Sequence, residues 1–144
     1  MYLSWGYYIG LLNIISFKMK KIIYTADAPA PIGPYSQAVA ANGFLFVSGQ
    51  VAINPANGEL TQHSIEDETH QVMRNINALL LEAGYDFSHV IKTSIFLSEM
   101  SLFARVNEIY GSYFSSDFPA RETIAVKGLP KGVNVEISVT AYKA

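Results

Sequence analysis

Residues 133–142 read "VNVEISVTAY", and they decide the fold. Val133, Val135, Ile137, Val139 and Ala141 alternate with Asn134, Glu136, Ser138 and Thr140. Side chains on a strand point to opposite faces in turn, so this is a strand with one apolar and one polar face. Its sheet must therefore bury one side and present the other to water or to a partner.

Working outward from it, "ETIAV" (122–126) reads as a preceding strand. Before that, "SLFARVNEIYGSYF" (101–114) predicts a helix capped by Ser101, with Phe103, Val106, Ile109, Tyr110 and Phe114 on one side. "VIKTSIFLS" (90–98) reads as a strand. A longer helix is expected earlier, where Ile65, Val72, Met73, Ile76, Leu79, Leu80 and Ala83 recur at helical spacing. Ser64 is its N-cap candidate, Glu66, Asp67 and Glu68 suit the positive end of its dipole, and Gly84 suits the position after its end. "AVAANGFLFVSG" (38–49) holds two apolar runs around Asn42-Gly43, a strong hairpin signal. "ADAPAPIGPYSQ" (26–37) is too rich in proline for a strand centre and reads as a rigid extended loop. "KIIYT" (21–25) is a short β-branched strand. The order β-β-β-α-β-α-β-β gives an α+β domain in which two helices cover one face of a mixed sheet. No further element is left for the other face, and the chain is 50% hydrophobic with only 15% charged residues. A homo-oligomer is expected.

The chain has 144 residues, a fit to one domain. A net charge of −2 gives no basic field for a phosphate backbone. The absence of cysteine excludes disulfides, thiolate metal sites and thiol nucleophiles, and is compatible with a reducing cytoplasm. Residues 2–17 carry no charge, but Lys18, Lys20 and Lys21 follow this run where a secretory signal would have its basic residues first. The run is shorter than a membrane span and is broken by Gly6, Gly10 and Asn13. We read 1–18 as an N-terminal apolar extension, with Met19 as an alternative start, and 19–144 as the domain. A weak membrane anchor and an apolar arm packing on a partner are the rival readings of the extension.

Four positions could carry chemistry. Arg121, beside Phe-Pro-Ala and before an apolar strand, is either a loop charge pairing with a carboxylate such as Asp117 or a planar fork for an anion. Glu136 is a carboxylate in a strand interior, either an edge charge that discourages aggregation or a group that orients a water. Tyr35 sits in the rigid "GPYSQ" loop. Ser48-Gly49 offers a hydroxyl and a close backbone approach at a strand end. His63, His70 and His89 are too scattered for a metal site, and no phosphate loop or Gly-x-Ser-x-Gly elbow occurs.

Taken together, "APAPIGPYSQAV" (28–39), "FVSGQVAINPANGE" (46–59), "FPARETIAV" (118–126) and "LPKGVNVEISVTA" (129–141) resemble, in order and spacing, the Rid family of reactive intermediate deaminases, also called YjgF-like proteins. The similarity runs from about Lys21 to Lys143. The resemblance implies a chorismate-mutase-like fold, a homotrimer with active sites between subunits, and a cytoplasmic 2-iminobutanoate/2-iminopropanoate deaminase that needs no metal or organic cofactor. It assigns carboxylate binding to Arg121 and water positioning to Glu136, and it places Tyr35, Ser48, Gly49 and Thr123 around the substrate. Thr123 stands where the family often has cysteine, Ser138 where an acid is common, and Gly128 where an arginine is common. A non-catalytic module that binds 2-oxo acids is the alternative, and an RNA-acting protein is disfavoured by the charge.

Overall fold

The structure, a computed structural model, describes residues 20–144. The apolar extension and the alternative start at Met19 lie outside the described residues.

The Asn42-Gly43 hairpin forms as its sequence demands. β1 (Lys21–Ile23) pairs antiparallel with β2 (Ala38–Ala41), which turns into β3 (Phe44–Gln50) with Ala41 opposite Phe44. Asn42 and Gly43 both have positive φ, 50° and 81°, the backbone of a tight two-residue turn. A long loop carries the chain to α1 (Ile65–Glu82), and β4 (Val90–Leu97), α2 (Phe103–Gly111), β5 (Ala120–Ala125) and β6 (Val135–Tyr142) follow. The observed order matches the expected one. The sheet runs β1-β2-β3-β6-β4-β5, antiparallel except for the parallel β4–β5 pair.

Helix α1 starts and stops for local reasons. The Ser64 hydroxyl accepts the Asp67 backbone N–H at 3.0 Å. At the other end Gly84 takes φ 81°, its N–H reaches Leu81 O, and the Tyr85 N–H reaches Leu80 O, a paired closure that uses the last free carbonyls. Val72, Met73, Ile76, Leu79 and Leu80 are fully buried against Leu45, Ile95, Leu97, Val135 and Ile137. Each such aliphatic side chain contributes about 1.5–3 kcal/mol of burial.

Helix α2 differs from its expected form. Ser101 does not cap it. A 3₁₀ turn over Met100–Leu102 precedes it, Leu102 occupies the cap position, and no side chain there bonds a free N–H. The tighter turn takes up part of the capping role, because its own i→i+3 bonds use some of those groups. The helix also ends at Gly111, so Phe114 packs from the following turn. Val106 and Tyr110 are its buried contacts, and Phe103 stays partly exposed.

On β6, Val135, Ile137, Val139 and Ala141 are buried beneath the helices, while Glu136, Ser138 and Thr140 face the opposite side. That side is covered by no element among the described residues. Register places Phe46, Phe96, Glu122 and Ile124 on it with Glu136, and Phe46 is 50% exposed.

Candidate active site

Glu136 lies on β6 between β3 and β4, so the edge-strand explanation for its charge fails. What places it is an irregularity in its neighbour. Val47 pairs with Val139 and Gln50 with Ile137, so three steps on β3 match two on β6. The extra residue makes a bulge at Ser48-Gly49, and bulges bend a strand and re-aim its groups. Gly49 thereby lies directly against Glu136: a Cβ built at Gly49 would stand 1.9 Å from Glu136 Oε1. Only glycine leaves room for the carboxylate.

The Glu136 carboxylate makes no hydrogen bond or ion pair with another described residue, and burial alone raises its pKa above the ordinary glutamate value. It opens into a cavity of about 300 Å³ lined by Tyr35, Ser48 and Gly49 and by the apolar Pro29, Ile32, Val51, Ile53 and Pro130. Lys131 lines the same cavity from a turn in which its φ is 57°.

The proline loop that carries Tyr35 is held by side chains. Buried Gln37 accepts the Thr25 N–H at 2.8 Å and donates to the carbonyls of Thr25, Ala28 and Pro29. Pro34 sits at the centre of a tight turn closed by the Tyr35 N–H on Gly33 O, 2.8 Å. The Ser48 hydroxyl donates to Ser36 O at 2.6 Å. Its proton is thus committed to the loop, which leaves its lone pairs as acceptors at the cavity wall. Below the opposite wall, buried Asn75 donates to Val51 O and Ile53 O.

Arg121 lies inside β5 rather than ahead of it, and pairs in register with Thr93, a fully buried residue of the helix-covered face. It does not pair with Asp117. Its Nη1 donates to Asn107 Oδ1 at 2.7 Å, and its guanidinium carbon stands 5.2 Å from the Tyr110 ring centre and 5.7 Å from that of Phe103. Two aromatic faces and one amide hold the fork in place while leaving most of its N–H donors open. Tyr110 is itself fixed by donating to Thr93 Oγ1 at 3.0 Å; burial raises its pKa, and that bond and the Arg121 charge oppose the rise. The hollow beside Arg121 is lined by Asn107, Tyr110, Gly111, Phe118 and Pro119. Thr123 is on the same face, and its Oγ1 is buried without a hydrogen-bond partner among the described residues.

One copy of the chain therefore brings together Tyr35, Ser48, Gly49 and Glu136, and separately Arg121 and Thr123. The two groups lie on opposite faces of the sheet. The bulge, the Asn107–Tyr110–Phe103 cradle and Lys131 are features that residue-by-residue reading missed. The available signals were the Ser-Gly pair at a strand end and the aromatics Phe103 and Tyr110 in the helix that precedes the arginine. Among the described residues no group of three or more His, Asp or Glu gathers to hold a metal, and no helix is long and apolar enough to cross a membrane.

Comparison with known proteins agrees with this architecture. The family model described as endoribonuclease L-PSP matches residues 25–143. A RutC family protein of Pyrococcus horikoshii is 49% identical over 125 residues, covering 87% of this chain and 99% of that protein. The human protein named 2-iminobutanoate/2-iminopropanoate deaminase is 42% identical over 129 residues, covering 90% and 94%. The crystal structure of YyfA, a Rid-family protein from Yersinia pestis, superposes with a TM-score of 0.84 at 48% identity over 86% of this chain and 99% of that one. The six-stranded mixed sheet with its two helices is the YjgF-like fold, and the chain belongs to the YjgF/Rid family.

Proposed function

We propose that the protein hydrolyses 2-imino acids, with their enamine tautomers, to 2-oxo acids and ammonia, acting on 2-iminobutanoate and 2-iminopropanoate. One observation carries this reading: a half-buried carboxylate, Glu136, has no partner among the described residues and faces a cavity through a gap that only Gly49 leaves. Such a group is a base of raised proton affinity with room for a water and a small substrate. The deaminase names of human, bovine and mouse relatives at 42–44% identity support the same reaction.

In this mechanism Arg121 holds the substrate carboxylate through its planar fork. Glu136 accepts a proton from a water as the water oxygen bonds to the imine carbon, and hands that proton to the nitrogen. In the resulting carbinolamine Glu136 takes the hydroxyl proton and passes it to the amine nitrogen as the C–N bond breaks, releasing ammonia and the 2-oxo acid. Tyr35, Gly49 and Thr123 shape the surroundings, and Ser48 accepts from the amine while holding the loop. Imine hydrolysis proceeds slowly in water, so positioning and one base suffice.

Because the carboxylate fork and the base lie on opposite faces, the reading requires two copies. The site is formed where the β5 edge of one copy meets the Glu136 cavity of the next, in a homotrimer with three such clefts. The uncovered sheet face, with Phe46 and Ile124 exposed, supports that packing.

The test generates 2-iminobutanoate with an amino-acid oxidase and traps the remaining imine with semicarbazide. Wild type is expected to deplete the imine, and Arg121→Ala is not. Undepleted imine with wild type, together with tight binding of 2-oxobutanoate, would replace the deaminase with a binding module.

A further inference from the structure

Glu68 is the fully buried charge that the mechanism leaves unused. It lies in the first turns of α1, it is 1% exposed, and no cation pairs with it among the described residues. Its carboxylate instead collects neutral donors from the start of β6. Oε1 accepts the backbone N–H of Asn134 at 2.6 Å and that of Val135 at 3.3 Å, and Oε2 accepts Asn134 Nδ2 at 3.0 Å. A carboxylate suits this set because both of its oxygens can accept. Burying it costs free energy that three N–H bonds and the positive end of α1 offset.

These donors sit immediately before Glu136. Asn134 is also gripped from β4: Ser98 Oγ donates to Asn134 Oδ1 at 3.1 Å, and the Ser98 N–H donates to Asn134 O at 3.0 Å. The first of these orients the Asn134 amide so that its NH₂ faces Glu68. Upstream, the chain leaves the Pro130–Gly132 turn, where Lys131 has positive φ. The ladder with β4 runs through Val135 and Glu136, but the ladder with β3 begins only at Ile137, so on that side the first residues of β6 are held by this clamp.

We propose that Glu68 is a positioning residue for Glu136: it fixes the backbone at Asn134 and Val135, and so sets where the Glu136 carboxylate stands over Gly49. The proposal rests on the reading of Glu136 as the base. Side-chain placement within about 0.5 Å is what separates a working site from a loose one. A carboxylate is required rather than an amide. Glu68→Gln preserves volume but turns an NH₂ toward the Asn134 NH₂, so two donors face each other.

The experiment compares wild type, Glu68→Gln, Asn134→Ala and Glu136→Gln on 2-iminobutanoate, per folded molecule, across pH. Tyr35 and Lys131 are the other ionisable groups lining the cavity; Lys92 and Glu122 stand further along the same face, paired with each other. Glu68→Gln is expected to lower kcat about 10-fold with KM changed by less than about 2-fold, because the fork for the carboxylate is untouched. The acid limb of its kcat/KM profile is expected to move down toward the ordinary carboxylate range, because a loosened Glu136 meets more water. Asn134→Ala is expected to show the same two changes in smaller measure, and it carries the test alone if Glu68→Gln yields no folded protein. Wild-type kcat and an unmoved acid limb in the folded variants overturn the proposal, as does a loss confined to the amount of folded protein. Wild-type kcat in Glu136→Gln would instead overturn the reading of Glu136 as the base.

Discussion

The Glu136 side and the Arg121 side of the molecule achieve fixed geometry by different means. Glu136 is placed by subtraction: a bulge and a missing Cβ leave a space that its carboxylate enters, with burial and no partner among the described residues. Arg121 is placed by addition: Asn107 bonds one nitrogen and two rings flank the guanidinium. On the proposed mechanism the difference follows from what each group must do. A base works better when its charge is poorly solvated, whereas an anion-binding fork works better when it is rigid and still charged. The sheet then separates them, so the proposed reaction requires a second copy to bring them together.

Substitutions can break each half in its own way. Arg121→Ala has the largest expected effect, a loss of about 10²–10³-fold in kcat/KM, since a charged bidentate contact disappears. Glu136→Gln is expected to lower kcat about 10²-fold with KM little changed. The same variant is expected to raise the melting temperature at neutral pH. A carboxyl whose pKa is raised by folding opposes folding once pH exceeds its unfolded value, and the amide removes that penalty. A lower melting temperature would show that Glu136 is a stabilising group and not a strained one.

Gly49→Ala sharpens the comparison, because it should displace Glu136 and cost about 10-fold in kcat while Arg121 and the fold stay as they are. Unchanged kcat would mean that the carboxylate works from another position. Asn107→Ala tests the other half: KM should rise about 3- to 10-fold as the fork loses its bond, with the acid limb of the pH profile unmoved. The smallest effect concerns neither half. Arg105 makes two bonds to Glu66, across from α2 to α1, and holds the Glu66 pKa at about 2. Its contribution to stability is present above the unfolded value and is lost as pH falls through about 2. Arg105→Ala should therefore narrow the stability gap between pH 5 and pH 2 without touching catalysis.

Much of this was legible in the sequence. The alternation after Val133, the Asn-Gly turn and the helical spacing after Ser64 are local patterns with one physical reading each, and they carried the element order. Arg121 and Glu136 were visible as charges in unusual places. What stayed hidden depends on pairing between distant strands. The extra step at Ser48-Gly49 exists only relative to β6, and the bond from Ser48 to Ser36 O is made only once the fold brings the proline loop beside β3. Glu68 read as a helix-dipole charge because its spacing suits that role, yet its donors lie at Asn134 and Val135. The Ser101 cap failed because a 3₁₀ turn served in its place.

The central claim, that fork and base come from different copies, has a direct test. Arg121→Ala and Glu136→Gln, each inactive alone, are unfolded together and reassembled in equal amounts, and imine hydrolysis is measured with mixed oligomers confirmed by native mass spectrometry. In a closed ring every cleft takes its fork from one copy and its base from the next, so roughly a quarter of the clefts are intact and activity should return to about that fraction of wild type. Mixed oligomers with no recovered activity would place both groups in one copy and contradict the account.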